Sequence, residues 1–214
     1  MSESQWTRPH LEQPGEPSDV EILVPSCPRY RPLWPLWTWC MRAYFDGAPL
    51  PWRIVSPGEP TGWEAWPVQW LPTDAGWCAN LLAGLGARPF TLLWLDDYLL
   101  HPRPPVESTR ANVYRALEVM REDSSVGLLR LLSAHEPELT YDRWERVGEY
   151  DRVAHPFKRC SLQPAVWRTE VLRTVLLAAQ AAIGPKDVGR TGAVEFEVTA
   201  TTLTMDAAKF PARF

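Results

Sequence analysis

The sequence predicts an α/β domain with a mostly parallel central sheet flanked by helices. Three observations predict it. Short β-branched and apolar runs alternate with stretches of helical period for most of the chain. One run, residues 90–95, is apolar on both faces, as a central strand covered on two sides requires. The chain has 214 residues and is 45% hydrophobic, enough to bury one substantial core.

Residues 1–18 are polar and proline-rich and are predicted to be a flexible arm. The segment "DVEILVPSC" (19–27) gives a short strand stopped by Pro25. In "RPLWPLWTWCMRAY" (31–44), Leu33, Leu36, Trp37, Cys40, Met41 and Tyr44 recur at helical spacing. Pro32 and Pro35 fall within the first turn of that helix, where a missing N–H is tolerated. "PWRIVS" (51–56) is a second strand. Residues 57–76 form a long connection rich in Pro, Gly and Trp, and long connections in compact domains are often functional.

"WCANLLAGLGA" (77–87) reads as a helix ended by glycine, followed by the strand "RPFTLLWL" (88–95). "STRANVYRALEVMRED" (108–123) puts Val113, Ala116, Leu117 and Met120 on one helical face, and "VGLLRLL" (126–132) is a strand. Residues 133–159 are polar and aromatic and read as a loop or β-ribbon. "PAVWRTEVLRTVLLAAQAAI" (164–183) reads as a helix opened by Pro164. The domain spans 19–205, and 206–214 are a tail. No internal repeat is visible.

The net charge of −4 and pI near 5.6 give no global case for a nucleic-acid or membrane-surface protein. Cys27, Cys40, Cys78 and Cys160 are widely scattered, with neither metal-ligand spacing nor a short disulfide framework. They read as free thiols in a reducing compartment. The N-terminus lacks the layout of a signal peptide. No stretch approaches the roughly 18 apolar residues of a membrane span. A cytoplasmic, soluble protein is expected. The 12 tryptophans suggest a dense core, a ring-binding cleft, or both.

The candidate chemistry begins at "TLLWLDDYLL" (91–100), where Asp96 and Asp97 stand at the carboxyl end of the predicted central strand. In parallel sheets ligands bind beyond those ends. Two adjacent carboxylates repel each other, and burying them unpaired is costly. A hard divalent cation, Mg²⁺ or Mn²⁺, relieves both by binding carboxylate, water and substrate phosphate oxygens. The structural alternative is that the pair caps the next turn or meets an arginine such as Arg103.

The blocks "VEILVPSCPRYRPLWPL", "LLWLDDYLL", "CSLQPAVWRTEVL" and "VEFEV" resemble, in order and separation, those of small bacterial and phage GT-A-type glycosyltransferases. The resemblance covers roughly residues 19–198. It implies a GT-A-like, Rossmann-related fold and a nucleotide-sugar donor, with a UDP-sugar foremost. It places the nucleotide against Pro25, Ser26, Cys27 and Tyr30, with Arg31 as a phosphate partner. It maps the family's metal motif onto Asp96 and Asp97, with Asp97 as the direct ligand of Mn²⁺ or Mg²⁺. The family often writes that motif D-x-D, whereas this chain has "LDDY".

Ser161 and Gln163 would meet the donor sugar or diphosphate, unless Gln163 only caps the following helix. Trp167 is either an acceptor platform or a core residue. Glu197, with Glu195 second, would be the general base of an inverting transfer. Val194 occupies the place of the tryptophan that usually precedes the family's acid-aromatic-acid run. The expected acceptor is a surface polysaccharide or other glycan. A second reading is a phage-type enzyme acting in the host cytoplasm on hydroxymethylated DNA bases. That reading calls on Arg103, Arg110, Arg143, Arg146, Arg152, Lys158 and Arg159 for a basic face. A third is a non-catalytic domain that binds nucleotide-sugar or glycan.

Other enzyme classes fit less well. A nucleotidyltransferase wants a glycine-rich loop after the first strand, and "VPSCPRYRPL" has no glycine. No D-x-D-x-T follows that strand, and neither G-x-x-x-x-G-K-[ST] nor G-x-G-x-x-G occurs.

Overall fold

Strand β1 (Val20–Pro25) is the spine of the sheet. Val20, Ile22 and Val24 enter one hydrophobic layer and Leu23 the opposite one, as the two-residue period of a strand dictates. All four are fully buried, so β1 is covered on both faces. A computed structural model of the protein describes residues 19–44, 50–58, 62–64, 66–71, 75–97, 106–131, 143–147, 150–153, 160, 162–184 and 189–204. The expected arm (1–18) and tail (206–214) lie outside these residues.

On one side of β1 lie β2 (Trp52–Pro57) and β3 (Val68–Leu71). On the other lie β4 (Phe90–Leu93), β8 (Ala165–Arg168) and β5 (Leu128–Arg130), giving the order β3-β2-β1-β4-β8-β5. β1 to β4 pair in parallel, and β8 runs antiparallel to both its neighbours. The expected mostly parallel α/β architecture is therefore present, with β8 reversed within it. Between Arg143 and Tyr150–Val153, β6 (Arg143–Val147) and β7 (Tyr150–Val153) form a separate antiparallel ribbon. That agrees with the ribbon alternative for this stretch.

Helices close the two faces. α1 (Trp34–Tyr44) and α3 (Val106–Glu122) supply Trp34, Trp37, Met41, Val113, Ala116, Leu117 and Met120 to the layer shared with Val20, Ile22 and Val24. α2 (Trp77–Gly84), α4 (Thr169–Ile183) and α5 (Gly189–Thr204) cover the other face. α4 shows the expected apolar stripe, with Leu172, Val175, Leu176, Ala179 and Ile183 buried. Where α2 ends, Gly84 lies flat on the sheet. A Cβ there would fall 2.2 Å from Val55 Cγ2 and 3.2 Å from Leu23 Cδ1.

Three local expectations change, and one segment that carried no assignment takes its form. The helix placed at 164–183 begins only at Thr169, because "AVWR" pairs as a strand with β4 on one side and β5 on the other. A fully buried strand and the start of a buried helix look alike in apolar content. The connection 57–76 contains the edge strand β3, whose burial does not alternate and so gives no period-two signal. "VEFEV", which alternates like a strand, lies within helix α5, where Phe196 and Ala200 are buried four residues apart. Residues 28–33 form a 3-10 turn ahead of α1, in which Pro32 is accommodated.

Candidate functional site

Strand order reverses between β1 and β4. β1 leads to β2 on one side and pairs with β4 on the other. The crevice beyond the carboxyl ends of two such strands is the general ligand position in open α/β sheets. Ser26 follows β1, and Asp96 lies three residues beyond β4. Their side chains meet there: Ser26 Oγ donates a hydrogen bond to Asp96 Oδ2. Trp34 Nε1 donates to Ser26 Oγ at 2.9 Å and to Asp96 Oδ2 at 3.2 Å. Ser26 is also fixed through its backbone, its N–H reaching Val55 O at 2.9 Å.

The two acids differ in environment. Asp96 is 2% exposed, and Asp97, in the same turn, is exposed. Burial pushes the Asp96 carboxyl up to about 6. The bonds from Ser26 and Trp34 oppose that rise, and the neighbouring Asp97 charge adds to it. No group of three or more His, Cys, Asp or Glu side chains among the described residues could hold a metal ion.

The segment after β1 carries the remaining nucleotide candidates. Pro25 ends β1 with Val55 as its partner in register. Cys27 is a free, half-buried thiol at the start of the 3-10 turn, and its carbonyl accepts the Tyr30 N–H at 2.9 Å. Tyr30 is half-buried. Arg31 lies with its guanidinium carbon 4.6 Å from the centre of the Trp70 ring. Its Nε is buried with no hydrogen-bond partner among the described residues. Gly58, at φ 107°, leaves room for this guanidinium, since a Cβ there would come within 2.8 Å of Arg31 Nη2.

The second group arrives by a different route. Ala165 pairs with Leu93 in the antiparallel β4–β8 ladder, so the residues just before β8 lie at the carboxyl end of β4. That brings Leu162, Gln163 and Pro164 to the same end of the sheet as the acids. Helix α5 fastens this segment with one row of side chains. Glu197 Oε1 accepts the Leu162 N–H at 2.6 Å, and Thr201 Oγ1 accepts the Cys160 N–H at 3.1 Å. Thr204 Oγ1 contacts Cys160 Sγ at 3.5 Å. Glu197 and Glu195 are two residues apart on a helix, roughly 200° around its axis, and so cannot share a face. Gln163 does not cap α4, whose N-cap is Arg168. Ser161 lies outside the described residues.

The tryptophans divide by burial. Trp34, Trp37, Trp94 and Trp167 are buried, which makes Trp167 a core residue of β8. Trp63, Trp66 and Trp70 are only partly buried and ring Trp34, with centroids 5.1, 6.0 and 5.9 Å away. Sequence reasoning passed over Trp34 as a site residue. Its signal was that a buried indole N–H needs an acceptor.

Of the basic residues considered for a DNA face, Arg103, Lys158 and Arg159 lie outside the described residues. The side chains of Arg143, Arg146 and Arg152 do as well. Arg110 donates to Tyr114 Oη at 3.1 Å. None of the described helices is long and apolar enough to cross a membrane.

No protein-family model matches the chain, and no curated protein matches it. Among solved structures it is similar to a mycobacterial protein at 16% identity, over 91% of this chain and 75% of that one, with a TM-score of 0.44. It is also similar to the glucosyl-3-phosphoglycerate synthase of M. tuberculosis at 13% identity, over 98% of this chain and 88% of that one, with a TM-score of 0.45. At these scores neither likeness bears on what this chain does.

Proposed function

We propose that the protein is a glycosyltransferase that moves a sugar from a nucleoside-diphosphate sugar, foremost a UDP-sugar, to an acceptor hydroxyl on a glycan. The observation that carries this reading is the meeting of Ser26 and Asp96 where the strand order reverses, with Asp97 exposed beside them. An exposed carboxylate at that crevice suits a ligand that brings phosphate groups and a hard cation. The four ordered sequence blocks supply the sugar-transfer part of the reading.

The donor set fits Mn²⁺ or Mg²⁺ through Asp97, because such ions accept one carboxylate and complete their shell with water and phosphate oxygens. Asp96 fits less well, since its Oδ2 already accepts from Ser26 and Trp34. A bound ion would offset the charge that grows on the departing diphosphate. Ser26, Cys27 and Tyr30 hold the nucleoside end, and Arg31, stacked on Trp70, adds positive charge nearby. Gln163 contacts the sugar from the segment ahead of β8.

Glu197 takes the proton of the acceptor hydroxyl as that oxygen attacks the anomeric carbon, and the nucleoside diphosphate leaves from the opposite face. Its bond from α5 to the Leu162 N–H, at the end of the sheet that carries the acids, supports Glu197 over Glu195. The stretch 133–159 would cover the site and exclude water.

A thermal-shift screen against UDP-, GDP-, TDP- and CMP-sugars, with and without Mn²⁺, tests this reading. A Mn²⁺-dependent rise with one nucleotide class, lost in Asp97→Ala, is expected. No shift with any donor would remove the reading at its base.

A further inference from the structure

We propose that the adjacent acids have separate tasks: Asp96 is a positioning residue that clamps both ends of the Ser26–Trp34 segment to the end of β4, and only Asp97 is offered to an ion. What Asp97 binds rests on the proposed function, whereas the clamp rests on the contacts alone.

The clamp follows from which groups share one oxygen. Asp96 Oδ2 accepts from both Ser26 Oγ and Trp34 Nε1. Ser26 is the residue before Cys27, where the 3-10 turn begins, and Trp34 is where the turn ends, its N–H capping Arg31 O. A single buried acceptor therefore fixes the start and the finish of the stretch that carries Cys27, Tyr30 and Arg31. Trp34 passes the constraint outward, since its ring touches Trp63, Trp66 and Trp70, and Trp70 supports the Arg31 guanidinium. An ion could use Asp96 Oδ2 only by displacing two donors from a group 2% exposed. Asp97 has no such engagement among the described residues and is exposed.

The chemistry separates the tasks. A clamp needs a neutral or charged acceptor oxygen, which an amide provides. An ion ligand needs the negative charge, which an amide lacks. Asp96→Asn therefore preserves the clamp, Asp96→Ala and Trp34→Phe break it, and Asp97→Asn removes the ion ligand.

The full chain is titrated with Mn²⁺ in the presence of UDP, followed by the paramagnetic resonance of free Mn²⁺. It is then titrated with UDP alone in chelator by calorimetry. Asp97→Asn is expected to weaken Mn²⁺ by about tenfold or more, while Asp96→Asn stays within about twofold of wild type in both titrations. Asp96→Ala is expected to weaken UDP in chelator by about fivefold or more, with Asn as the rescuing substitution. Trp34→Phe should reproduce that loss, which covers the case in which the alanine variant does not fold.

Equal loss of Mn²⁺ in Asp96→Asn and Asp97→Asn would overturn the division. So would unchanged UDP affinity in both clamp-breaking variants. If wild type binds neither Mn²⁺ nor UDP, the proposed function fails, and the clamp is judged by tryptophan emission. Wild-type emission in Asp96→Asn with a shift in Asp96→Ala supports the clamp, and the same emission in all three refutes it.

Discussion

Replacing Asp96 by asparagine should stabilise the protein at neutral pH and flatten one part of its pH–stability curve. Burial raises the folded carboxyl to about 6 from an ordinary value of 3.8. Folded protein therefore binds this proton more tightly than the unfolded chain does. Stability from this group is fully present below pH 3.8 and is lost as pH rises toward 6. At 1.36 kcal/mol for each tenfold change in proton affinity, the loss above pH 6 is about 3 kcal/mol.

Asparagine stays neutral at every pH and keeps one oxygen for Ser26 and Trp34. Its NH2 group, left without a planned partner, costs about 1–2 kcal/mol of that gain. A net stabilisation of about 1–2 kcal/mol at pH 7 remains. Urea unfolding in chelator, followed by tryptophan fluorescence between about pH 5 and pH 8, reads this directly. The difference between variant and wild type should be constant above pH 7 and shrink toward pH 5. A difference that grows as pH falls would refute the assignment of the raised carboxyl to Asp96.

Other parts of the structure give independent expectations. Gly84→Ala forces a methyl group against Val55 and Leu23 and should cost about 1–3 kcal/mol in urea unfolding. An unchanged midpoint would mean that α2 does not press on the sheet there. Burial raises the Cys40 thiol, so less thiolate is present at a given pH. In native protein near pH 8 Cys40 should alkylate more slowly than in urea, as read by mass spectrometry of labelled peptides, and a rate equal to the unfolded one would contradict this.

Much of the architecture was legible because its signals are local and periodic. Val113, Ala116, Leu117 and Met120 repeat at helical spacing, and all are buried on α3. β1 and β4 were visible as apolar runs bounded by proline or acid. β8 was hidden because "AVWR" runs without a break into the apolar stripe of α4, and only its pairing with β4 and β5 makes it a strand. α5 was hidden for the opposite reason. Val194 and Val198 are exposed, so the period-two alternation of "VEFEV" reports a chance ordering rather than a face.

The site was half legible. The acids stood out because charge is unexpected at the end of a buried strand. Which acid would be buried, and that Trp34 would reach back to it, depend on contacts 62 and 70 residues apart. Glu197 was visible as an acid, but its bond to the Leu162 N–H arises only when α5 docks against Cys160 and Leu162.

The central claim is most directly tested by incubating the protein with UDP-glucose, GDP-mannose, TDP-glucose or CMP-sialic acid in Mn²⁺ and measuring release of the free nucleotide by chromatography. Slow donor hydrolysis without acceptor is expected for one nucleoside-diphosphate sugar, abolished in Asp97→Ala and retained in Asp96→Asn. No release from any donor, together with no binding of the corresponding nucleotide, would contradict the account.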